Sequence, residues 1–382
     1  MTLTLANISL VNISNVQAAT TDNTIKVSLD NIRYIVIGNN LDIKNSYNSN
    51  KIALQEYHDA RDAYKNDSEP VESDYKTTTT TTDDSGTEIT TTIVDTTAYN
   101  KAVNTYNTEK STYETTMAAY KKAQTAYDQK VESVVYAAQD AYITYLANLS
   151  NEKLKEDKVN SNEKEEQVYK LQYENGFISK NEYTSKLQAN TSINELNSLT
   201  DTVELSRTKL CNTLGISPEE KMTFDTNITE NFEMISKINY ENDLEQMLSN
   251  NVDIKLQNDQ ISDLEDEEDD YDDKDEENIY NYKLENENTT LKQLMNTAET
   301  DFKGQYNTLM NSYNSIKSSY DKLTEDEKSY TIMETKYNYG FASKKEVDDV
   351  KLTLDTERST FNASKNTLYV DYLRYIQMKE GY

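Results

Sequence analysis

The chain has 382 residues and a formal net charge of −29, with 35% apolar and 28% charged residues. That balance argues against nucleic acid as a partner, since phosphate binding needs clustered Lys and Arg, and against one large spherical core, leaving the narrow apolar seams that long packed helices bury. Only 2 Pro and 7 Gly occur, which argues against a turn-rich β-sandwich or a disordered linker protein and favours long uninterrupted helices.

The first nineteen residues are mildly apolar (Leu3, Leu5, Ile8, Leu10, Val11, Ile13) and end in Val16-Gln17-Ala18-Ala19, a small-x-small pattern of a signal-peptidase site. A basic leading region is missing. The segment 1–19 therefore reads either as an export signal whose start lies upstream of Met1 or as no signal, and export is the expectation. No run approaches the ~18 apolar residues of a membrane-spanning helix. His58, the sole histidine, falls in an apparent helix with no Cys or His partner in sequence, which fits a surface or seam residue better than a metal or catalytic one.

From Tyr75 to Val94 the chain is Thr-rich, with Thr77 to Thr82 and Thr90 to Thr92 on either side of Asp83-Asp84-Ser85-Gly86. Thr and Ile favour strands and the Asp-Ser-Gly cluster a turn, so the tract reads as a small β-hairpin insertion over about 67–98 or as a disordered Thr-rich loop.

A heptad repeat then dominates. Tyr99, Tyr106, Tyr113, Tyr120 and Tyr127 fall seven apart, and Val134 and Ala141 continue the row; Val103, Met117, Val131, Ala138 and Tyr145 form a second. In the second half Met295, Phe302, Leu309, Ile316, Leu323, Tyr330 and Tyr337 form one row, and Val347, Leu354, Phe361, Leu368 and Tyr375 another. An ordinary amphipathic helix drifts off such a seam within a few turns, so strict heptads predict helices that lie along neighbours. Helices over Tyr99–Tyr173 and Asn278–Tyr337 would be about 110 Å and about 90 Å long. Tyr suits a seam with one wet side, such as a tube wall, because its ring buries while its hydroxyl seeks water; codon bias replacing Phe would give the same composition.

Two segments recur. Tyr173-Glu174-Asn175-Gly176-Phe177-Ile178-Ser179-Lys180-Asn181-Glu182 matches Tyr337-Asn338-Tyr339-Gly340-Phe341-Ala342-Ser343-Lys344-Lys345-Glu346, and Asn39-Asn40-Leu41-Asp42-Ile43-Lys44 matches Asn250-Asn251-Val252-Asp253-Ile254-Lys255. Two matches in the same order predict a tandem duplication: a first repeat over 25–216, a connector over 217–238 and a second repeat over 239–382. The first copy carries about 47 residues more, from the offsets of 211 and 164, and the Thr tract is the obvious surplus. In each corner Gly176 or Gly340 can take positive φ just past a helix end. Ser179 or Ser343 then caps the returning helix, with Glu182 or Glu346 completing a capping box. Each copy is expected to be a long helix, a tight turn and a second long helix running back, with both tips at one end of the molecule.

On these residues the chain resembles the TolC family of outer-membrane efflux channels, in the Asn-x-x-Asp/Glu helix start, the long heptad helix, the Tyr-x-x-Gly-Phe-x-Ser-x-x-Glu turn, the Leu210-Cys211-Asn212-Thr213-Leu214-Gly215-Ile216 ending, and their repetition over about 25–382. In the second copy Tyr375-Ile376-Gln377-Met378 is a poor match to that ending. The resemblance implies an all-α protomer of long coiled-coil hairpins, three of which form an α-barrel conduit working with a periplasmic adaptor and an inner-membrane transporter. It places Tyr173, Gly176, Phe177 and Ser179, and Tyr337, Gly340, Phe341 and Ser343, at adaptor-contacting tips. It places Glu346 and Asp349 among carboxylates lining a narrow pore entrance, with the cap alone as the alternative for Glu346. Ala342 stands where the best-known members carry a gating Arg.

The second copy departs from the family in lacking a strand pair. Its matching place holds the run Asp263-Leu264-Glu265-Asp266-Glu267-Glu268-Asp269-Asp270-Tyr271-Asp272-Asp273-Lys274-Asp275-Glu276-Glu277, too charged to face lipid. It reads as a solvated helix turn, with Ca²⁺ binding the lesser alternative because EF-hand spacing is absent. The Thr hairpin lacks an aromatic girdle, so a complete membrane barrel is not expected. No phosphate loop, nucleophile elbow or cofactor motif occurs. Lone Cys211 reads as a small buried hydrophobe, and the chain as no enzyme. An export conduit is the leading reading, located in the outer membrane by the resemblance or at the cell surface where no outer membrane exists. A non-transporting coiled-coil surface or scaffold protein is the rival.

Overall fold

The computed structural model describes residues 24–382 apart from 83, 84, 87, 188, 226–231 and 266–273, so the expected signal at 1–19 and most of the acidic run lie outside the described residues. The helices are α1 (Leu29–Asn39), α2 (Leu41–Asn66), α3 (Thr96–Glu174), α4 (Lys180–Ser185), α5 (Ala189–Leu214), α6 (Tyr240–Asn250), α7 (Val252–Glu265), α8 (Lys274–Asn338) and α9 (Lys344–Lys379). The strands are β1 (Ile25–Val27), β2 (Lys76–Thr82), β3 (Glu88–Val94) and β4 (Met222–Phe224). The chain is all-helical as the heptads predict. The Thr tract is a hairpin rather than a loop: β2 runs antiparallel to β3, with Lys76 opposite Val94 and Thr79 opposite Thr91.

The heptad rows bury where they meet a partner. Phe302, Leu309, Leu368 and Tyr375 from α8 and α9 close on Ile235 and Met247 in one core, each large apolar side chain adding about 1.5–3 kcal/mol. The other core gathers Ile32, Val36, Val131, Ala138, Tyr142, Leu210 and Leu214. The row Tyr106, Tyr113, Tyr120 and Tyr127 is only half-buried. It interleaves with α2: Tyr64 stacks on Tyr113 at 5.4 Å, Tyr57 on Tyr120 at 5.8 Å, and Tyr47 meets Tyr127 edge-on at 5.8 Å. A layer of two paired helices has water on both sides, which suits rings that cover one another while their hydroxyls stay wet.

Together the helices make a wall four helices wide. On one side of α3 lie α2 and then α5; on its other side α7 and then α9 separate it from α8. Lys121 of α3 pairs with Asp263 of α7 at 3.3 Å, and Ser150 meets Ser359 of α9 at 2.5 Å. The outer flanks, α2 with α5 and α8, keep Leu41, Ile52, Leu205, Ile279, Tyr282 and Tyr320 exposed.

Three features differ from the sequence expectation. The returning helix of the first hairpin is broken after α4. Lys186 N–H donates to Tyr183 O and Thr184 O rather than to the carbonyl four residues back, which ends the turn, while the Thr184 and Ser185 hydroxyls donate to Lys180 O and Glu182 O at 2.8 and 2.7 Å. The surplus of the first copy is not confined to the Thr tract: α2 has 26 residues against 14 in α7, and α3 has 79 against 65 in α8. A parallel pair was not foreseen. β1 lies beside β4, Lys26 opposite Thr223, and the buried Tyr142 hydroxyl shares its proton between Asp225 O at 2.5 Å and Val27 O at 3.2 Å.

Candidate functional site: the paired hairpin tips

Both corners end their helices by the same local chemistry. At the first, Phe177 N–H donates to Gln172 O at 2.8 Å and Gly176 N–H to Tyr173 O at 3.0 Å; at the second, Phe341 N–H donates to Lys336 O at 2.8 Å and Gly340 N–H to Tyr337 O at 2.9 Å. This double bond pattern needs a left-handed residue at the glycine, and φ is 76° at Gly176 and 79° at Gly340. Ser179 and Ser343 follow as N-caps, each accepting from the N–H three residues on, Glu182 and Glu346, at 3.2 Å.

The caps are unequal. Glu346 reaches back to Ser343 N–H at 2.7 Å and to its hydroxyl at 2.9 Å, completing the box and holding this carboxyl below the usual glutamate range, chiefly through the backbone bond. At the first tip the expected reciprocal bond from Glu182 is not formed within the cap. That tip is braced by rings instead: Tyr173 stacks on Tyr183 at 5.3 Å, and the Lys186 ammonium sits 4.7 Å from the Tyr169 ring. At the second tip the Lys344 ammonium lies 5.9 Å from the Tyr337 ring.

The tips stand side by side. Lys345 bridges Asp349 on its own helix at 2.8 Å and Glu165 on α3 at 2.9 Å, and these two carboxylates push the ammonium upward in pKa. Glu346 and Asp349 are therefore each engaged within the chain, one in a cap and one in an ion pair. The aromatic residues of the turns are not. Phe177 is 80% exposed and Phe341 83%, and Tyr339 is exposed with them. Two equivalent turns thus present two equivalent phenyl rings to solvent at one end of a strongly acidic chain.

The Leu-Gly ending has a partner that the sequence reading missed. Gly215, with φ 72°, is matched by Gly381, with φ 98°, and Ile216 N–H and Tyr382 N–H close their helices onto Cys211 O and Gln377 O at 3.0 and 3.1 Å. The signal was a glycine 41 residues beyond Gly340, against 39 between Gly176 and Gly215. His58 lies on α2, its ring edge-on to Tyr57 at 5.7 Å, and Cys211 is buried with its Sγ 4.0 Å from Met222 Sδ, its thiol pushed up by burial.

The wall and its paired tips define a class of fold, a tandem pair of long antiparallel helical hairpins. No family profile matches the chain, and no curated protein matches its sequence. Solved structures do. The outer-membrane channel OprN superposes with TM-score 0.58 at 11% identity, over 93% of this chain and 90% of that one. The Campylobacter jejuni CmeC outer membrane channel gives 0.61 at 11% identity, over 92% and 85%. The open-state Neisseria gonorrhoeae MtrE outer membrane channel gives 0.58 at 9% identity, over 92% and 89%. The chain has the TolC-type outer-membrane channel fold, and the proteins it superposes on are channels rather than enzymes.

Proposed function

We propose that three copies of this chain close into an export conduit of the cell envelope whose hairpin tips dock on an adaptor protein coupled to an inner-membrane transporter. The observation that carries the reading is the pair of equivalent tips with their exposed Phe177 and Phe341. A partner with repeated apolar pockets fits two turns that each expose a phenyl ring after a left-handed glycine, whereas a scaffold protein has no use for duplicated phenyl rings in water. The two open flanks of the wall support a ring, since their exposed Leu and Tyr side chains need the neighbouring copy to cover them. Glu346 and Asp349 would face the narrowing at the tips, where carboxylates from several copies favour cations. The first repeat over 25–216, the connector over 217–238 and the second repeat over 239–382 divide the protomer, and each repeat would supply two wall positions.

The test combines the solution mass of the purified protein with export measured in cells carrying Phe177→Ser and Phe341→Ser together. A mass of three chains, with export lost in the double variant, supports the conduit. A monomer, or full export by the double variant, favours the non-transporting surface protein.

A further inference from the structure

On α8, Lys303 has two neighbours to choose between. Glu299 stands one turn before it and Tyr306 one turn after it. A glutamate four residues ahead of a lysine is the ordinary helical ion pair. Among the described residues that pair is not made. The Lys303 ammonium lies instead 4.1 Å from the centre of the Tyr240 ring and 5.5 Å from that of Tyr306. Lys51, Lys186, Lys317 and Lys344 each face one ring in this way, and Lys303 faces two.

Those two rings are fixed from behind. Tyr240 opens α6, which packs on α8 and α9. Its ring lies 4.9 Å from Tyr306 and stacks on Phe302 at 5.9 Å, and Phe302 stacks on Tyr375 at 4.9 Å. Tyr375 is fully buried, and its hydroxyl donates to Asp243 at 2.8 Å, a carboxylate that Lys379 holds at 2.7 Å. In front of the rings α6 and α8 leave an open cleft of about 600 Å³. It is lined by Tyr240, Glu241, Leu244, Asn296, Glu299 and Lys303. Burial, and after it the carboxylates of Glu299 and Glu241, push the Tyr240 phenol up in pKa.

The first repeat closes the matching place. The offsets of 164 and 211 set Tyr142 against Tyr306, Gln139 against Lys303 and Leu29 against Tyr240. Tyr142 is fully buried, its hydroxyl donating to the carbonyls of Val27 and Asp225. Tyr306 is only half-buried. One copy is sealed core and the other an open cleft with a cation on its rings.

Ring faces beside carboxylates attract cations, and they gain most from one that sheds its water easily. A lysine ammonium is strongly hydrated. A quaternary ammonium has no N–H for water to hold, and the volume of the cleft suits a small molecule. We propose that the α6–α8 cleft is a binding site for a small quaternary-ammonium cation, seated on Tyr240 and Tyr306 beside Glu241 and Glu299, with Lys303 as the resident cation that it displaces. The site lies within one protomer and does not rest on the conduit.

The test titrates the full-length protein with choline and with its neutral isostere 3,3-dimethylbutan-1-ol, binding being read by ligand-detected NMR. Lys303→Ala, which clears the rings, should bind choline about five- to thirtyfold tighter than the parent. Lys303→Arg should bind it no tighter than the parent. In Lys303→Ala the isostere should bind at least about tenfold more weakly than choline, and the trimethyl protons of choline should move upfield, since a ring face shields protons above it. Adding Glu241→Gln and Glu299→Gln, both at exposed positions, should weaken choline about fivefold without moving the unfolding midpoint. No gain in Lys303→Ala overturns the site and leaves Lys303 as a cover for the core. Equal binding of the isostere, or trimethyl protons that do not shift, also overturns it, because the cleft then reads no charge or holds choline away from the rings.

Discussion

A side chain on Gly215 would collide with the carbonyl oxygen of Asn39 and stand 2.8 Å from Asn40 N; one on Gly381 would meet Asn250 O and stand 2.9 Å from Asn251 N. The two glycines seat the ends of α5 and α9 on the two asparagine junctions. Around the first seat Asn40 Oδ1 accepts from Asp42 N–H and Ile43 N–H, and its Nδ2 donates to Thr213 O at 2.8 Å. Around the second, Val252 N–H donates to Gly381 O at 3.2 Å. Positive φ alone costs an alanine about 1–2 kcal/mol, and the backbone collision adds to it. Gly215→Ala and Gly381→Ala should each lose more than ~2 kcal/mol in urea unfolding. Gly304→Ala, in open space within α8, should gain about 0.5–1 kcal/mol. Equal midpoints for Gly215→Ala and Gly304→Ala would remove the seat from the account.

The tips call for the opposite outcome. Gly176 and Gly340 share the positive φ but have nothing within 4 Å of an added Cβ. Alanine there should cost only about 1–2 kcal/mol, confined to the corner. Phe177→Ser and Phe341→Ser, at largely solvated rings, should leave the unfolding midpoint within about 0.5 kcal/mol of the parent. Any loss of export would then be a docking defect, and a large fall in stability would show that the rings hold the fold instead.

What could be read in advance was what local chemistry dictates. Heptads, glycine corners and Ser-x-x-Glu caps act within a few residues of themselves, so α3, α8 and both turns were legible from Tyr99 to Glu346. Gly381 escaped because its role depends on Asn250, brought close only by the fold. β1 and β4 escaped because three residues carry no period and their pairing rests on the distant Tyr142. The surplus of the first copy was visible as an offset. Its division among α2, the hairpin and α3 was not, since the Thr tract drew all of it.

The tyrosine seam between α2 and α3 should respond to alkali. The Tyr64 and Tyr106 hydroxyls are hydrogen-bonded at 3.1 Å, and that bond, with desolvation behind it, pushes Tyr106 up to about 12. A raised tyrosine pKa means that the folded state holds its proton more tightly. Its contribution is therefore complete below the ordinary value of about 10 and is lost as pH rises through about 12. Burial also pushes up other phenols, Tyr142 and Tyr375 among them, so ultraviolet titration should show a late-ionising fraction, and Tyr64→Phe should return one phenol of that fraction toward 10 while costing under ~1 kcal/mol. Tyr57→Ala, which deletes stacking on both Tyr113 and Tyr120, should cost about 1–3 kcal/mol and raise amide exchange in 96–120 ahead of the rest of α3. Uniform exchange along α3 would mean that the tyrosine seam is no weaker than the part of α3 whose side chains are buried.

Lys345 offers the last test, of the tie between the hairpins. It is more than half exposed, so its raised pKa is worth little in stability, and an exposed pair of this kind adds about 0.2–1 kcal/mol. The double-mutant cycle of Lys345→Ala with Glu165→Ala should give a coupling in that range, falling as salt rises from about 0.05 to about 0.5 M because the Debye length shortens from about 14 to about 4 Å. Spin labels on the two tips should show a broader distance distribution in Lys345→Ala than in the parent. Asp349, released from its partner, would then add a free carboxylate at the tips. Glu346 would not change, because its cap bonds to Ser343 are made within one turn and hold it ionised whether or not the hairpins touch. A cycle with no coupling at low salt, together with unchanged distances, would show that the hairpins are aligned by the Ser150–Ser359 contact and the cores above it, and that Lys345 only neutralises its neighbours.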